Sequence, residues 1–182
     1  PGPAGLAFQP GGTVLYVACS SSTAAALLDS VDVISVEPNA TAGPRVITRI
    51  PLERGAARVV FSPDGKLAFV NETGTGTVAM IDTSTHRVVE RFKVGGSEHS
   101  APSEVALSRD TFPLLVANPG ANNCSVIDGA GNVRDLEIGF PMAGAAIDAH
   151  GGWLTGPQEP LALFVDFAAM RLRKVETAGR GT

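Results

Sequence analysis

What most constrains this chain is a unit of about forty residues that recurs four times. It is clearest at 57–95, ARVVFSPDGKLAFVNETGTGTVAMIDTSTHRVVERFKVG. Four short apolar runs, Val59–Ser62, Leu67–Val70, Thr77–Asp82 and Arg87–Val94, are separated by Pro63-Asp64-Gly65, Gly74-Thr75-Gly76 and Thr83–His86. Runs this short, rich in Val, Ile and Phe and punctuated by turn residues, are strands. Pro presets φ, Asp bonds its own backbone and Gly accepts positive φ, so the first break is a tight antiparallel turn.

The unit aligns on Phe69 with Tyr16, Leu115 and Trp153, and thirteen residues beyond Phe69, Leu115 and Trp153 stand Asp82, Asp128 and Asp166. In the first unit the matching acid is read as Glu37, reached through a lengthened loop. The opening strand recurs as Leu6–Phe8, Val59–Phe61, Val105–Leu107 and Ala145–Ile147, and the closing strands end near Gly55, Gly95, Gly139 and Gly179, in steps of 40, 44 and 40 residues. Four four-stranded units therefore fill one propeller segment over 1–182, with blades at approximately 5–55, 56–95, 103–139 and 143–179. Packing sheets face to face around an axis explains why the inner strands are continuously apolar. Of the 32 charged residues, fifteen fall in the fourth strands and their flanks, which marks those strands as the rim, where charge discourages edge pairing.

SPDGK at 62–66, LAFV at 67–70, TVAMIDT at 77–83 and RVV at 87–89 resemble the YVTN-type β-propeller repeat of the cytochrome d1-like propellers. LYVA at 15–18, LVAN at 115–118 and CSVID at 124–128 repeat parts of the pattern, while WLTG at 153–156 departs from it. The resemblance implies an all-β propeller from a mostly extracytoplasmic, periplasmic or secreted, bacterial or archaeal family. It implies no single activity, because fold does not determine function.

Four blades form either a small closed ring or half of a seven- or eight-bladed one. The half is the expectation, with the remaining blades supplied by a longer chain or by a second copy. The opening Pro1-Gly2-Pro3, without an initiator methionine, fits a processed or excised piece. The net charge of −4 offers no field for nucleic acid, and no apolar run approaches a membrane span.

Binding surfaces of repeat proteins gather on lengthened loops of one face. Here that face carries the Ser20–Ser30 loop, with Asp29 and a helical turn at 24–28, and the 95–102 connection, which places Glu98 and His99 near the axis. An imidazole beside a carboxylate can bind a ligand or move a proton, but two groups are too few for a metal site. Arg58 and Glu104 fall at equivalent first-strand positions, opposite Gly5 and Gly144 in the other units, and form an inter-blade ion pair or a polar channel mouth. His86 and His150 lie on the opposite face, and Cys19 and Cys124, in units two blades apart, are small core residues rather than a disulfide.

No catalytic residues, cofactor or metal are therefore expected. The leading reading is a binding module whose loop face takes a protein or a small-molecule ligand. The alternative is the propeller portion of a haem d1 or quinoprotein redox enzyme, or of a sugar lactonase. A purely structural repeat is the third class.

Overall fold

The computed structural model describes residues 2–21, 29–37, 41–157 and 160–176. Among these the only regular elements are sixteen strands. Blade 1 holds β1 (Gly2–Phe8), β2 (Val14–Ser20), β3 (Ser30–Ser35) and β4 (Arg45–Pro51). Blade 2 holds β5 (Ala56–Phe61), β6 (Leu67–Glu72), β7 (Thr77–Asp82) and β8 (Arg87–Lys93). Blade 3 holds β9 (Glu104–Ser108), β10 (Thr111–Asn118), β11 (Asn123–Ile127) and β12 (Val133–Glu137). Blade 4 holds β13 (Gly144–Ile147), β14 (Gly152–Thr155), β15 (Leu161–Asp166) and β16 (Arg171–Glu176). Each blade is a four-stranded antiparallel sheet in chain order. The fold is an all-β propeller of four-stranded blades, as the repeat implies.

Turn chemistry sets the strand ends. Asp64 Oδ1 accepts from Ser62 Oγ and Lys66 N at 2.7 and 3.1 Å, and Gly65 follows at φ 71°, the left-handed conformation glycine takes at least cost. The periodic acid has a physical role: Asp82, Asp128 and Asp166 each accept backbone N–H groups of the turn that follows, from Ser84, Ala130 and Ala168. In blade 1 the strand ladder corrects the alignment. Tyr16 pairs with Val33 as Phe69 pairs with Met80, so Ser35, not Glu37, stands at the acid position. Likewise Leu52 N, Val94 N and Ile138 N make equivalent bonds after their rim strands, so Glu53 rather than Gly55 matches Gly95 and Gly139. The helical turn expected at 24–28 and Gly179 lie outside the described residues.

The core is three interblade junctions. Tyr16, Val31, Val33 and Ile50 of blade 1 pack on Val59, Ala68, Val70 and Ile81 of blade 2. Phe69, Val78 and Phe92 then pack on Val105, Leu114, Val116 and Ile127 of blade 3. Leu115, Cys124 and Val126 pack on Leu154, Leu163 and Val165 of blade 4. Each blade thus presents an outgoing face to its successor and an incoming face to its predecessor. Cys19 and Cys124 are both free thiols.

Candidate functional site

Between blades, the chain crosses one end of the molecule from a rim strand to the next inner strand. Backbone amides in these linkers need acceptors, and the neighbouring blade supplies them. Glu72, fully buried at the end of β6, accepts from Glu53 N at 2.7 Å, Thr77 Oγ1 at 2.7 Å and Arg91 Nε at 3.0 Å. Ser125 Oγ and Asp135 Oδ1 accept from Gly95 N at 3.0 and 3.1 Å.

Asp29, expected among the ligand-binding residues of this face, belongs to the same set of linker acceptors. Its carboxylate is buried and accepts from Ser20 Oγ, Ser21 N, Gly55 N and Ala56 N at 3.0, 2.9, 2.5 and 3.1 Å. Burial works against its charge, but these four donors outweigh it and hold the carboxyl below its usual range. Asp29 is a linker anchor.

At the inner strands, Arg58 Nε lies 2.7 Å from Glu104 Oε1, bridging blades 2 and 3. The ladders confirm that Gly5, Arg58, Glu104 and Gly144 are equivalent positions. Gly5 is required there, since a Cβ would come within 2.1 Å of the Ala57 carbonyl oxygen. Burial pushes the Glu104 carboxyl up, opposed by Arg58. A cavity of about 390 Å³ beside the pair is lined by Ala4, Gly5, Leu6, Ala57, Arg58 and Ser103.

Glu98 and His99 lie on the linker face, but not over the axis. Gly76, in the β6–β7 turn at φ 67°, has room for no Cβ because the Ser97 carbonyl oxygen, Ser100 Oγ and Glu98 Cα crowd it. The His99 carbonyl oxygen crowds Gly120, in the β10–β11 turn, in the same way. The linker is therefore held over the second-to-third-strand turns, away from Arg58 and Glu104. Both side chains are exposed, and neither makes a hydrogen bond or ion pair with the described residues. No group of three or more His, Cys, Asp or Glu able to hold a metal occurs among the described residues.

Two features escaped the sequence reading. On the opposite face His86 Nδ1 meets Tyr16 Oη at 2.8 Å, tying blade 2 to blade 1. Phe112, Asp128, Arg134, Phe167 and Met170 also line a groove of about 680 Å³ there, between blades 3 and 4. Neither feature carries a local sequence signal, because each is made by residues of two blades.

These observations define the class: a β-propeller arc of four blades with an exposed linker face. No protein-family model and no curated protein sequence matches the chain. Among solved structures it is similar to a periplasmic gluconolactonase of Pseudomonas aeruginosa, at 17% identity over 99% of this chain and 59% of the other, with a TM-score of 0.71. It is similar to a virginiamycin B lyase of Staphylococcus aureus, at 13% identity over 96% and 55%, TM-score 0.70. It is also similar to the hydrazine synthase of Kuenenia stuttgartiensis, at 20% identity over 96% and 54%, TM-score 0.67. At these identities the likeness is one of fold, and the chain spans about half the length of the structures it matches.

Proposed function

We propose that the chain is an extracytoplasmic binding module of the YVTN propeller type, whose linker face takes a protein or small-molecule ligand through Glu98 and His99. The observation that carries this reading is how the charge on that face is distributed. Asp29, Glu72, Arg91 and Asp135 are all committed to holding linkers, whereas Glu98 and His99 stand exposed and unpaired by the described residues. Exposed polar groups held by rigid, glycine-crowded turns are preorganised for recognition. Arg58, more than half exposed beside Glu104, contributes a second polar point at the inner mouth. The extracytoplasmic location rests on the sequence resemblance alone.

The test compares the native chain with the Glu98→Ala/His99→Ala double variant. Both are immobilised and exposed to a periplasmic extract, and both are screened by thermal shift against monosaccharides, aldonolactones and short peptides. A partner or ligand retained by the native chain and lost by the variant, at unchanged circular dichroism and melting temperature, supports the reading. Equal behaviour toward every captured component removes this face from it, and a coloured native preparation would move the function to cofactor chemistry.

A further inference from the structure

On the face opposite the linkers, the three junctions are bridged differently. At the first, the β7–β8 turn reaches back through His86 Nδ1 to Tyr16 Oη at 2.8 Å. At the second, Phe112 stands edge-on to Phe69, with ring centroids 6.0 Å apart, and Gly131 of the β11–β12 turn sits against Glu90 and Phe92. At the third, the β15–β16 turn of blade 4 and the β11–β12 turn of blade 3 leave between them the groove of about 680 Å³. That volume falls in the range of small-molecule sites, about 300–1,000 Å³.

The walls of this groove are apolar and held from behind. Phe167 and Met170 pack on the core of the third junction and Phe112 on that of the second, and all three keep part of their surface in the groove. The Phe167 ring lies so close to Gly152 that a Cβ there would come within 2.9 Å of its Cζ atom, which fixes the ring against the sheet. Aromatic rings and a polarizable thioether are favourable neighbours for a flat aromatic body.

The polar side is equally defined. On β12, Arg134 stands opposite Val126, a residue of the third junction, so its side chain leaves the sheet toward blade 4. The Asp128 carboxylate on the same wall is occupied by its own turn, accepting from Ala130 N, Asn132 N and Asn132 Nδ2 at 2.9 Å each. Arg134 is exposed, and its side chain makes no hydrogen bond or ion pair with the described residues. At the first two junctions the matching ladder position holds Thr48 and Glu90, so the unpaired cation belongs to the third groove and not to the repeat. A guanidinium keeps its charge at any working pH and offers a planar fork to a carboxylate.

We propose that this groove binds a small aromatic carboxylate, its ring set among Phe112, Phe167 and Met170 and its carboxylate on the Arg134 guanidinium. The site is made by blades 3 and 4 alone and lies on the opposite face from Glu98 and His99.

The probe is 2-naphthoate, titrated into the 182-residue chain and followed by calorimetry and by methyl NMR of its three methionines. The Met170 methyl should shift and the other two should not, because Met142 is fully buried and Met80 lies in the second junction. Arg134→Gln should weaken 2-naphthoate by about tenfold or more and leave binding of the uncharged 2-naphthylmethanol unchanged. Gly129→Phe should abolish both by filling the groove, since a Cβ there meets nothing nearer than Phe112 Cβ at 3.9 Å. Glu98→Ala/His99→Ala should bind 2-naphthoate as the native chain does. An unshifted Met170 methyl at millimolar 2-naphthoate would overturn the site, even if Gly129→Phe failed to fold. Native affinity in Arg134→Gln would overturn the carboxylate contact, and cyclohexanecarboxylate binding as tightly as 2-naphthoate would overturn the aromatic assignment. Binding retained by a folded Gly129→Phe, or lost in Glu98→Ala/His99→Ala, would overturn the placement in this groove.

Discussion

Glu72 tests whether the linker anchors stabilise the arc. Its carboxylate holds three donors, and replacing it with Ala affects each differently. Thr77 Oγ1 keeps a partner in Thr75 Oγ1 at 2.9 Å. The Arg91 guanidinium is 32% exposed and retains Glu53 Oε1 at 3.7 Å, so little charge energy is lost through it. Glu53 N loses its acceptor, which costs about 1–3 kcal/mol. The vacated space of a fully buried side chain adds about 1–2 kcal/mol. Glu72→Ala should therefore destabilise by about 2–4 kcal/mol, and Glu72→Gln, which keeps the shape and one acceptor, by about 1–2 kcal/mol. With a urea dependence of about 2 kcal/mol/M, the midpoints fall by about 1–2 M and by less than about 1 M. Urea unfolding followed by far-UV circular dichroism measures both. An Ala variant within about 0.5 kcal/mol of native would refute the anchor. Equal losses for Ala and Gln would show that charge, not linker capture, is what the site contributes.

Tyr16, the only tyrosine, should ionise near pH 12 when its absorbance is followed alone, because burial first and the Asp82 carboxylate second push it up from 10. The folded chain then loses stability as pH rises from 10 toward 12, and Tyr16→Phe should abolish that slope while costing about 1 kcal/mol at pH 7 for the lost His86 bond. Asp29 is held below its ordinary 3.8, so its contribution is present above that value and is lost as pH falls through the lower folded one. Asp29→Asn should consequently destabilise the chain at pH 7 and approach the native stability under acid, as urea midpoints at the two pH values will show.

Local chemistry made the blades legible. The Pro63-Asp64-Gly65 turn and the acids at the ends of β7, β11 and β15 act within a few residues of themselves, so their spacing reports their local role. Where an insertion intervenes, spacing fails: the nearest acid in blade 1, Glu37, was two residues from the true ladder position, Ser35. Polar residues of the linker face were the least legible. Asp29 and Glu98 are both acids in loops of that face, and nothing local separates them. What separates them is whether an amide from the adjacent linker arrives within bonding distance, which is a tertiary fact. The same holds for the axis. Chain length alone cannot say where the 95–102 linker runs, and it is the close contacts of Gly76 and Gly120 that hold it over the turns.

Those contacts also bear on the proposal that recognition belongs to this linker rather than another. In the junction beneath it, both amide atoms of Asn71, the hydroxyl of Ser100 and Oδ1 of Asn118 are buried without a protein partner among the described residues. At the first junction, by contrast, the buried carboxylates of Asp29 and Glu72 are fully engaged. The second junction therefore combines an apolar core with a polar upper layer that protein groups leave incomplete, and the segment covering that layer carries Glu98 and His99. On the proposed reading a ligand would meet the exposed polar groups of the 95–102 linker, whereas the linker at 52–55, anchored by two buried carboxylates, serves as frame.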